Sequence, residues 1–504
     1  MPVSFNSIPA NWRMPLYWVE LDPSMAGLGV TPGRSLLVGI MTASGTALPD
    51  VPIACASQAQ ADALFGKGSM LACMFTAFFA NNWANEVWGL PLAEPTGAAA
   101  TGSIVVATPP TAAGTIDLYI AGHNVPVYVG ASDTVDIVAS SIEAAINANT
   151  SLPVTATAAT GTVTITAKYK GTPSNDIVMS DSYYGTVGGE QLPVGVTLTY
   201  TQLTGGTGDP VMTNAISALG ETEIDYVCMP FTDSTSMLAW ETEFGFSDTG
   251  RWGWMRQHYG HLFSSKRGIY SDLLLFGETR NSAQMSVMGI EPFSPTPSYE
   301  WAAAYCAKAA RALINDPARP LQTLQMASCL PAPFHSRFLM SELNGLSFVG
   351  VATQRTPVDV PMVMRENTTY QKNLYGNSDD AYELVTTLAT LAKLLRNQRQ
   401  AITSKFPRHK LADDGTRFGA GQAIVTPKII KAELVAQYRI DEFNGLVENG
   451  KAFKTNLIVE RDPNDPNRVN VLYPPDLVNQ LRVFAVLAQF RLQYDRGLDT
   501  VVAA

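Results

Sequence analysis

The sequence lacks positive charge over a long central stretch. Residues 35–250 contain no arginine and only three lysines, against nineteen Asp and Glu residues, which gives a formal net charge of −16. The whole chain has a net charge of −10, so the remaining residues together carry +6. An acidic half joined to a mildly basic half fits a protein whose copies meet through two different surfaces. The excess of acid disfavours a general nucleic-acid binder.

Long apolar runs and a signal peptide are also missing. The most apolar run, residues 70–80, has eleven residues, which is too short for a helix that crosses a bilayer. The N-terminus has neither the basic start nor the continuous apolar core of a secretory signal. We therefore expect no membrane insertion.

Cysteine is scarce and unpaired in pattern. Five cysteines occur in 504 residues, and no two form a C-x-x-C motif. These residues are typical of small buried side chains in a protein made in a reducing cytoplasm. They are Cys55, Cys73, Cys228, Cys306 and Cys329.

Motifs for phosphate or metal binding fail in detail. The segment around Gly66 (LFGKGSM) lacks the first glycine of a phosphate loop and indicates a helix-entry turn. His258 and His261 form H-x-x-H without an acidic or cysteine ligand at useful spacing, so packing among aromatic residues is favoured. The acidic cluster at 462–465 lacks the glycine and distal glutamate of a calcium loop and indicates a hairpin turn.

Catalytic motifs are likewise not found. The carboxylate pairs Glu221/Glu223 and Glu241/Glu243 have i, i+2 spacing, which does not bring two side chains together on a helix, so we expect them to be solvated. No nucleophile elbow, zinc-protease motif or dinucleotide fingerprint occurs. We expect a protein that is not an enzyme and has no cofactor.

Hydrophobic patterning predicts a mixed α/β (α+β) multidomain protein. Composition shifts near residue 95 to Thr, Ala, Gly and Val, and from 210 helices alternate with strands. In the body we expect strands at 35–41, 87–90, 224–229, 285–290, 347–353 and 360–365, and helices at 211–219, 234–244, 298–314, 379–404 and 427–447. The predicted parts are an N-terminal linking arm (1–22), the first body segment (23–94), an inserted β-rich domain (95–209), an α/β body domain (210–378), a C-terminal core domain (379–480) and a C-terminal linking strand (481–504).

The inserted segment shows the clearest local signals. We expect a hairpin around Gly122, a helix over 133–147, a strand pair around Gly161 and a further strand over 194–202. Glycine and proline at both of its ends are expected to form hinges.

The two ends of the chain each carry an apolar strand pattern without a local partner. Prolines at positions 2, 9, 15 and 23 lie within or around the pattern at 14–21. The pattern at 482–494 follows a Pro-Pro pair and ends in alternation. Such strands need a sheet from elsewhere, so we expect strand exchange between subunits. The candidate residues are Met14, Leu16, Tyr17, Trp18, Val19, Leu21, Val483, Phe484, Val486, Phe490, Leu492 and Tyr494.

Short matches to a known family occur in order along nearly the whole chain. They include FNSIP at 5–9 with RMP at 13–15, LFGKGSML at 64–71, GTI at 114–116 with IAG at 120–122, TAK at 166–168, and the segments 298–310, 355–356 and 469–494. In these segments the sequence resembles the contractile-tail sheath proteins of the phage Mu type.

The resemblance implies a structural function. Sheath proteins of this type stack as hexameric rings in a helical array around an inner tail tube, and contraction drives the tube through the host envelope. The resemblance implies that the partners are further copies of the chain, the inner tail tube protein, and the baseplate and tail-terminator proteins. It also implies arms that complete a neighbour's sheet, a 379–480 domain facing the tube, an outer inserted domain, and location in a virion tail assembled in the bacterial cytoplasm.

A second class of function remains open from the residues alone. The Thr/Gly-rich domain at 95–209 also suits an adhesin displayed on a particle. Binding of this domain, expressed separately, to a host surface or glycan would favour that alternative.

Overall fold

The computed structural model describes residues 33–490 and residue 492. The predicted N-terminal arm lies outside these residues. The first body segment contains strands β1 (Ser35–Ile40), β2 (Ile53–Ala54) and β3 (Val87–Leu92) and helices α1 (Gln58–Phe65) and α2 (Met70–Asn81).

The predicted helix-entry turn at Gly66 is confirmed. Gly66 ends α1 at a φ of 88°, and an added Cβ would lie 2.1 Å from Thr42 Oγ1, so glycine is required there. Ser69 begins α2, because its side chain accepts a hydrogen bond from the N–H of Ala72 (3.1 Å).

Residues 95–209, which we call the insert, contain two small sheets. The first has the order β10-β4-β8-β7 and the second β6-β5-β9, and one helix accompanies them. The elements are β4 (Thr101–Thr108), β5 (Gly114–Ile120), β6 (His123–Val129), α3 (Val135–Ala148), β7 (Val154–Ala159), β8 (Thr162–Ala167), β9 (Met179–Asp181) and β10 (Thr197–Thr204). Both predicted hairpins and the helix are confirmed, whereas strand β4 was not predicted.

The second body segment completes the main sheet. Its elements are α4 (Thr213–Leu219), β11 (Tyr226–Cys228), α5 (Ser234–Glu243), β12 (His261–Arg267), α6 (Tyr270–Glu278), β13 (Met285–Ile290), α7 (Ser298–Asn315), α8 (Met340–Phe348), β14 (Val351–Arg355) and β15 (Met362–Arg365). The eight strands have the order β15-β14-β13-β12-β11-β1-β3-β2, with a parallel centre and one antiparallel strand at each edge. This confirms the mixed α/β class.

One predicted strand begins later than expected. The prediction over 347–353 is wrong at its start, since α8 continues to Phe348 and Gly350, at a φ of 70°, turns the chain into β14. The apolar residues there serve the end of a helix and the start of a strand.

The C-terminal region has its own small core. It contains α9 (Val385–Lys405), β16 (Lys410–Leu411), β17 (Ile424–Val425), α10 (Pro427–Phe443), α11 (Gly450–Asn456), β18 (Ile458–Arg461) and β19 (Val469–Leu472). Leu394, Leu434, Tyr438 and Phe453 pack together here, apart from the large core that the body and insert share. Helix α9 begins six residues after the predicted start, because residues 379–384 bond back to 366–371.

Candidate inter-subunit surfaces

The C-terminal arm, defined here as residues 481–490 and 492, leaves the body with its apolar side chains in solvent. Residues 481–490 have no regular secondary structure. The predicted exchange residues there are exposed by 77% (Val483), 82% (Phe484), 69% (Val486), 86% (Phe490) and 97% (Leu492). A contiguous exposed apolar segment marks an interaction site. Tyr494 and the six N-terminal candidates, Met14, Leu16, Tyr17, Trp18, Val19 and Leu21, lie outside the described residues.

The β18–β19 hairpin has two open edges. Its strands pair with each other, and no further backbone hydrogen bond joins residues 458–461 or 469–472 to another described residue. Ile458 and Leu472 are opposite each other and are 49% and 58% exposed. The hairpin turn that the sequence predicted is present. Asp462 stabilises it, because its Oδ1 accepts from the N–H groups of Asn464 and Asp465 (2.8 and 3.1 Å). Sequence reasoning found this hairpin but not its unpaired edges.

In the insert, by contrast, side chains hydrogen-bond to the outward-facing backbone groups of edge strands. Asn147 of α3 makes two hydrogen bonds with the backbone of Ala156 in β7 (2.9 and 3.0 Å), and Glu143 accepts from the N–H of Ala158 (3.1 Å). Gln202 pairs in the same way with both backbone groups of Met179 in β9 (2.8 Å each). Edge strand β6 contains Pro126, and β10 pairs with β4 through two register irregularities.

The insert is also fastened to the body. Asp176 Oδ1 lies 2.7 Å from Arg267 Nε, and Oδ2 accepts from the N–H of Ser298 at the start of α7. The hydroxyl of Tyr183 donates to the carbonyl of Pro331 (2.8 Å). Glu300 in the first turn of α7 is buried next to these contacts, and this burial raises the pKa of its carboxyl well above the usual range. The insert therefore shares one core with the body rather than hanging on hinges alone.

The charge asymmetry is partly satisfied within one chain. Arg396 of α9 lies 2.5 Å from Asp225, a buried carboxylate beside β11. Glu243 pairs with Arg251 (2.8 Å) and Arg256 (2.9 Å), and its side chain is only 15% exposed. The expectation that Glu243 is solvated is therefore wrong. These pairs join acidic residues of 35–250 to basic residues of 251–504 in the same molecule.

The two histidines of the H-x-x-H pattern serve different surroundings. His258 Nε2 lies 2.8 Å from Glu221 Oε2, whereas His261 is buried in β12 with its ring 5.0 Å from that of Phe263. Burial lowers the pKa of His261 to about 3. Within residues 33–490 and 492, no three His, Cys, Asp or Glu side chains gather into a metal site. All five cysteines are buried and free, as predicted.

No helix in the described part of the chain combines the length and apolarity needed to cross a membrane.

Comparison with known proteins identifies the family. Residues 205–369 match the phage tail sheath protein central domain, and residues 377–491 match the phage tail sheath C-terminal domain. The Mu-like prophage FluMu tail sheath protein of Haemophilus influenzae is 42% identical over 496 residues, which cover 98% of this chain and 100% of that protein. The chain belongs to the phage tail sheath protein family, and the predicted resemblance is confirmed.

Solved structures of low identity are also similar. A sheath tail protein of Desulfitobacterium hafniense is 11% identical, with 93% of this chain and 100% of that chain covered and a TM-score of 0.47. The helical sheath of the anti-feeding prophage in its contracted state is 11% identical, with 96% and 100% covered and a TM-score of 0.46.

Proposed function

We propose that this protein is the repeating structural subunit of a contractile tail sheath. Copies assemble as hexameric rings in a helical stack around an inner tail tube, and contraction drives the tube through the host envelope. The partners are further copies of the chain, the tube protein, and the baseplate and terminator proteins, without cofactor, direct nucleic-acid contact or membrane insertion. Assembly takes place in the host cytoplasm, and the product is a virion tail. The 42% sequence identity to a tail sheath protein, over 98% of this chain, supports this function.

The exposed C-terminal arm is the observation that carries the proposal. Burying a large side chain such as Phe484 or Phe490 is worth roughly 1.5–3 kcal/mol, yet both are more than 80% exposed in the single chain. A neighbouring subunit supplies the missing surface. The arm then adds as a strand to that neighbour's sheet, through main-chain hydrogen bonds that do not depend on side-chain identity.

The open β18–β19 hairpin supports the same conclusion from the acceptor side. The hairpin packs on the C-terminal core through Val459, but its strand edges have no backbone partner among the described residues and can accept further strands. We assign it as the sheet that the arms of neighbouring subunits join, within a C-terminal core domain (379–480) that faces the tube. The N-terminal arm (1–22) is the second linking strand.

Strand exchange suits a lattice that changes shape. A backbone-paired strand tethers two bodies while those bodies rotate and repack. Contraction is then a shift from a metastable lattice to one with better interfaces, and the energy is stored during assembly. No nucleotide is required in this mechanism.

Removal of the C-terminal arm tests the proposal. We expect a variant lacking residues 483–504, which keeps Arg482 and its contacts with the body, to remain a folded, soluble monomer that forms no tubes in negative-stain electron microscopy. The control lacks only residues 495–504, keeps the predicted strand and should still polymerise. Normal tubes from the longer truncation would contradict the proposal.

A further inference from the structure

The place where the C-terminal arm leaves the body contains a buried ion pair. The Arg482 side chain is 12% exposed and that of Glu366 is fully buried. Arg482 Nη1 donates to Glu366 Oε2 (3.0 Å) and Nη2 to Glu366 Oε1, so both carboxylate oxygens are engaged. From residue 483 to residue 490 every side chain is exposed. Arg482 is thus the last described residue of the arm with a substantial hold on the body.

A second contact supports the same point. Gln480 Nε2 donates to the carbonyl of Ala318 (2.6 Å), and Gln480 Oε1 accepts from Arg482 Nη2. The guanidinium is therefore held between Gln480, directly before the arm, and a carboxylate of the body. Two adjacent points of attachment fix a direction as well as a position.

Glu366 belongs to a rigid part of the main sheet. It follows β15 directly, and residues 366–369 are fully buried. The Glu366 carbonyl accepts from the N–H of Val385 at the start of α9 (3.2 Å), and the N–H of Thr369 donates to Met285 of β13 (2.8 Å). A force applied to the arm at Arg482 therefore reaches the central sheet and α9 without passing through the β18–β19 hairpin.

The pairing is demanding chemically. A buried carboxylate is costly unless it is paired and hydrogen-bonded. Among the described residues Arg482 is the only cation in an ion pair with Glu366, whose Oε1 also accepts from the N–H of Leu321 (3.3 Å). Lysine has no planar fork with which to engage both carboxylate oxygens.

We infer that Arg482 and Glu366 form a clamp that fixes the departure point of the C-terminal arm and transmits load between neighbouring subunits to the main sheet. The inference that the clamp transmits load rests on the proposed function, because it needs the arm to be held by another copy. The positioning part concerns the single subunit. Arg482 and Glu366 are positioning residues, and the exchange residues beyond them make the contact.

Trypsin provides a direct test in the soluble full-length subunit. In the wild type the clamp keeps the Arg482 side chain out of the protease pocket. Glu366→Gln preserves shape and leaves the cleavage site intact but removes the charge that holds it, so we expect cleavage after Arg482 to become at least about tenfold faster. Cleavage after Arg468, whose side chain is 66% exposed, is the internal control and should not change.

Folding is checked separately by circular dichroism and thermal unfolding. If Glu366→Gln lowers stability throughout, cleavage rises at both arginines and the positioning role is overturned. A second variant, Arg482→Lys, keeps a tryptic site and a positive charge but loses the fork, and it should also be cut faster at position 482. Wild-type rates in both folded variants would equally overturn the clamp.

Assembly distinguishes the clamp from the proposed function. We expect Glu366→Gln to raise the subunit concentration needed for tube formation by about tenfold, which corresponds to 1.4 kcal/mol. Faster cleavage together with wild-type assembly would overturn the role of the clamp in transmitting load but would not contradict strand exchange. Tubes from the variant lacking 483–504, which retains Arg482, would overturn strand exchange, whereas protection of Arg482 in the full-length single subunit would be unaffected.

Discussion

The insert and the C-terminal region treat their strand edges in opposite ways. In the insert, Asn147 and Gln202 occupy backbone groups that face outward, and Pro126 lies in edge strand β6. In the C-terminal region, the β18–β19 hairpin leaves both edges unpaired among the described residues, and the C-terminal arm exposes its apolar side chains. Exposed edges invite pairing with another chain, and proteins normally block them.

The contrast supports the proposal that neighbouring subunits join at the C-terminal region. A subunit that joins its neighbours by strands has to prevent the wrong strands from pairing, or the lattice has no defined geometry. Blocked edges on the insert and open edges near the arm give that selectivity. The insert is also joined to the main sheet by the ion pair between Asp176 and Arg267 of β12.

The strongest test of the comparison after truncation is a charge at the open hairpin. We expect Leu472→Lys to raise the concentration needed for assembly by about tenfold, since a lysine on a strand edge opposes pairing. The measurement is a sedimentation assay of tube formation. Tyr128→Lys is the matched control, because Tyr128 is 70% exposed on the blocked edge strand β6, and it should assemble normally. Equal effects of the two variants would remove the distinction between the regions.

Opening a blocked edge should have a smaller effect. Asn147→Leu frees the N–H and carbonyl of Ala156 in β7, so we expect slow self-association of the soluble subunit, visible by light scattering. Ala148→Leu adds the same apolar side chain at an exposed position of α3, turned about 100° around the helix from Asn147, leaves the Asn147 side chain in place, and serves as the control. If both variants scatter alike, added apolar surface alone explains the association, and Asn147 has no blocking role.

Salt should have the smallest effect. The acidic half of the chain suggested a contact with the basic half of an adjacent subunit, but Asp225 and Glu243 already have partners within the chain. We therefore expect a rise from about 0.05 to about 0.5 M salt to weaken assembly only a few-fold, through the remaining exposed charges. A loss of assembly over this range would show that the contact between acidic and basic halves dominates after all.

Local patterns predicted much of the fold. The alternation in β5 and β6, the turn at Gly66 and the hairpin at Asp462 depend on residues close in sequence, so their physics is visible in the pattern. Strand β4 was missed although it contains the β-branched run Ile104, Val105 and Val106, and its pairing with β8 and β10 depends on residues distant in sequence. Domain boundaries and the exchange residues stay predictions.

The sequence by itself determined that this protein carries an apolar segment near its C-terminus, buried free cysteines, and an acidic central stretch. Composition and short-range periodicity are sufficient for such features. Only the tertiary structure decided which charged residues pair within the molecule, which strand edges are blocked by side chains, and where the C-terminal arm is fixed. The reason is distance along the chain, since Arg482 and Glu366 are 116 residues apart and Tyr183 and Pro331 are 148 apart. Pairs so distant exist only once the sheet has brought their strands and helices together.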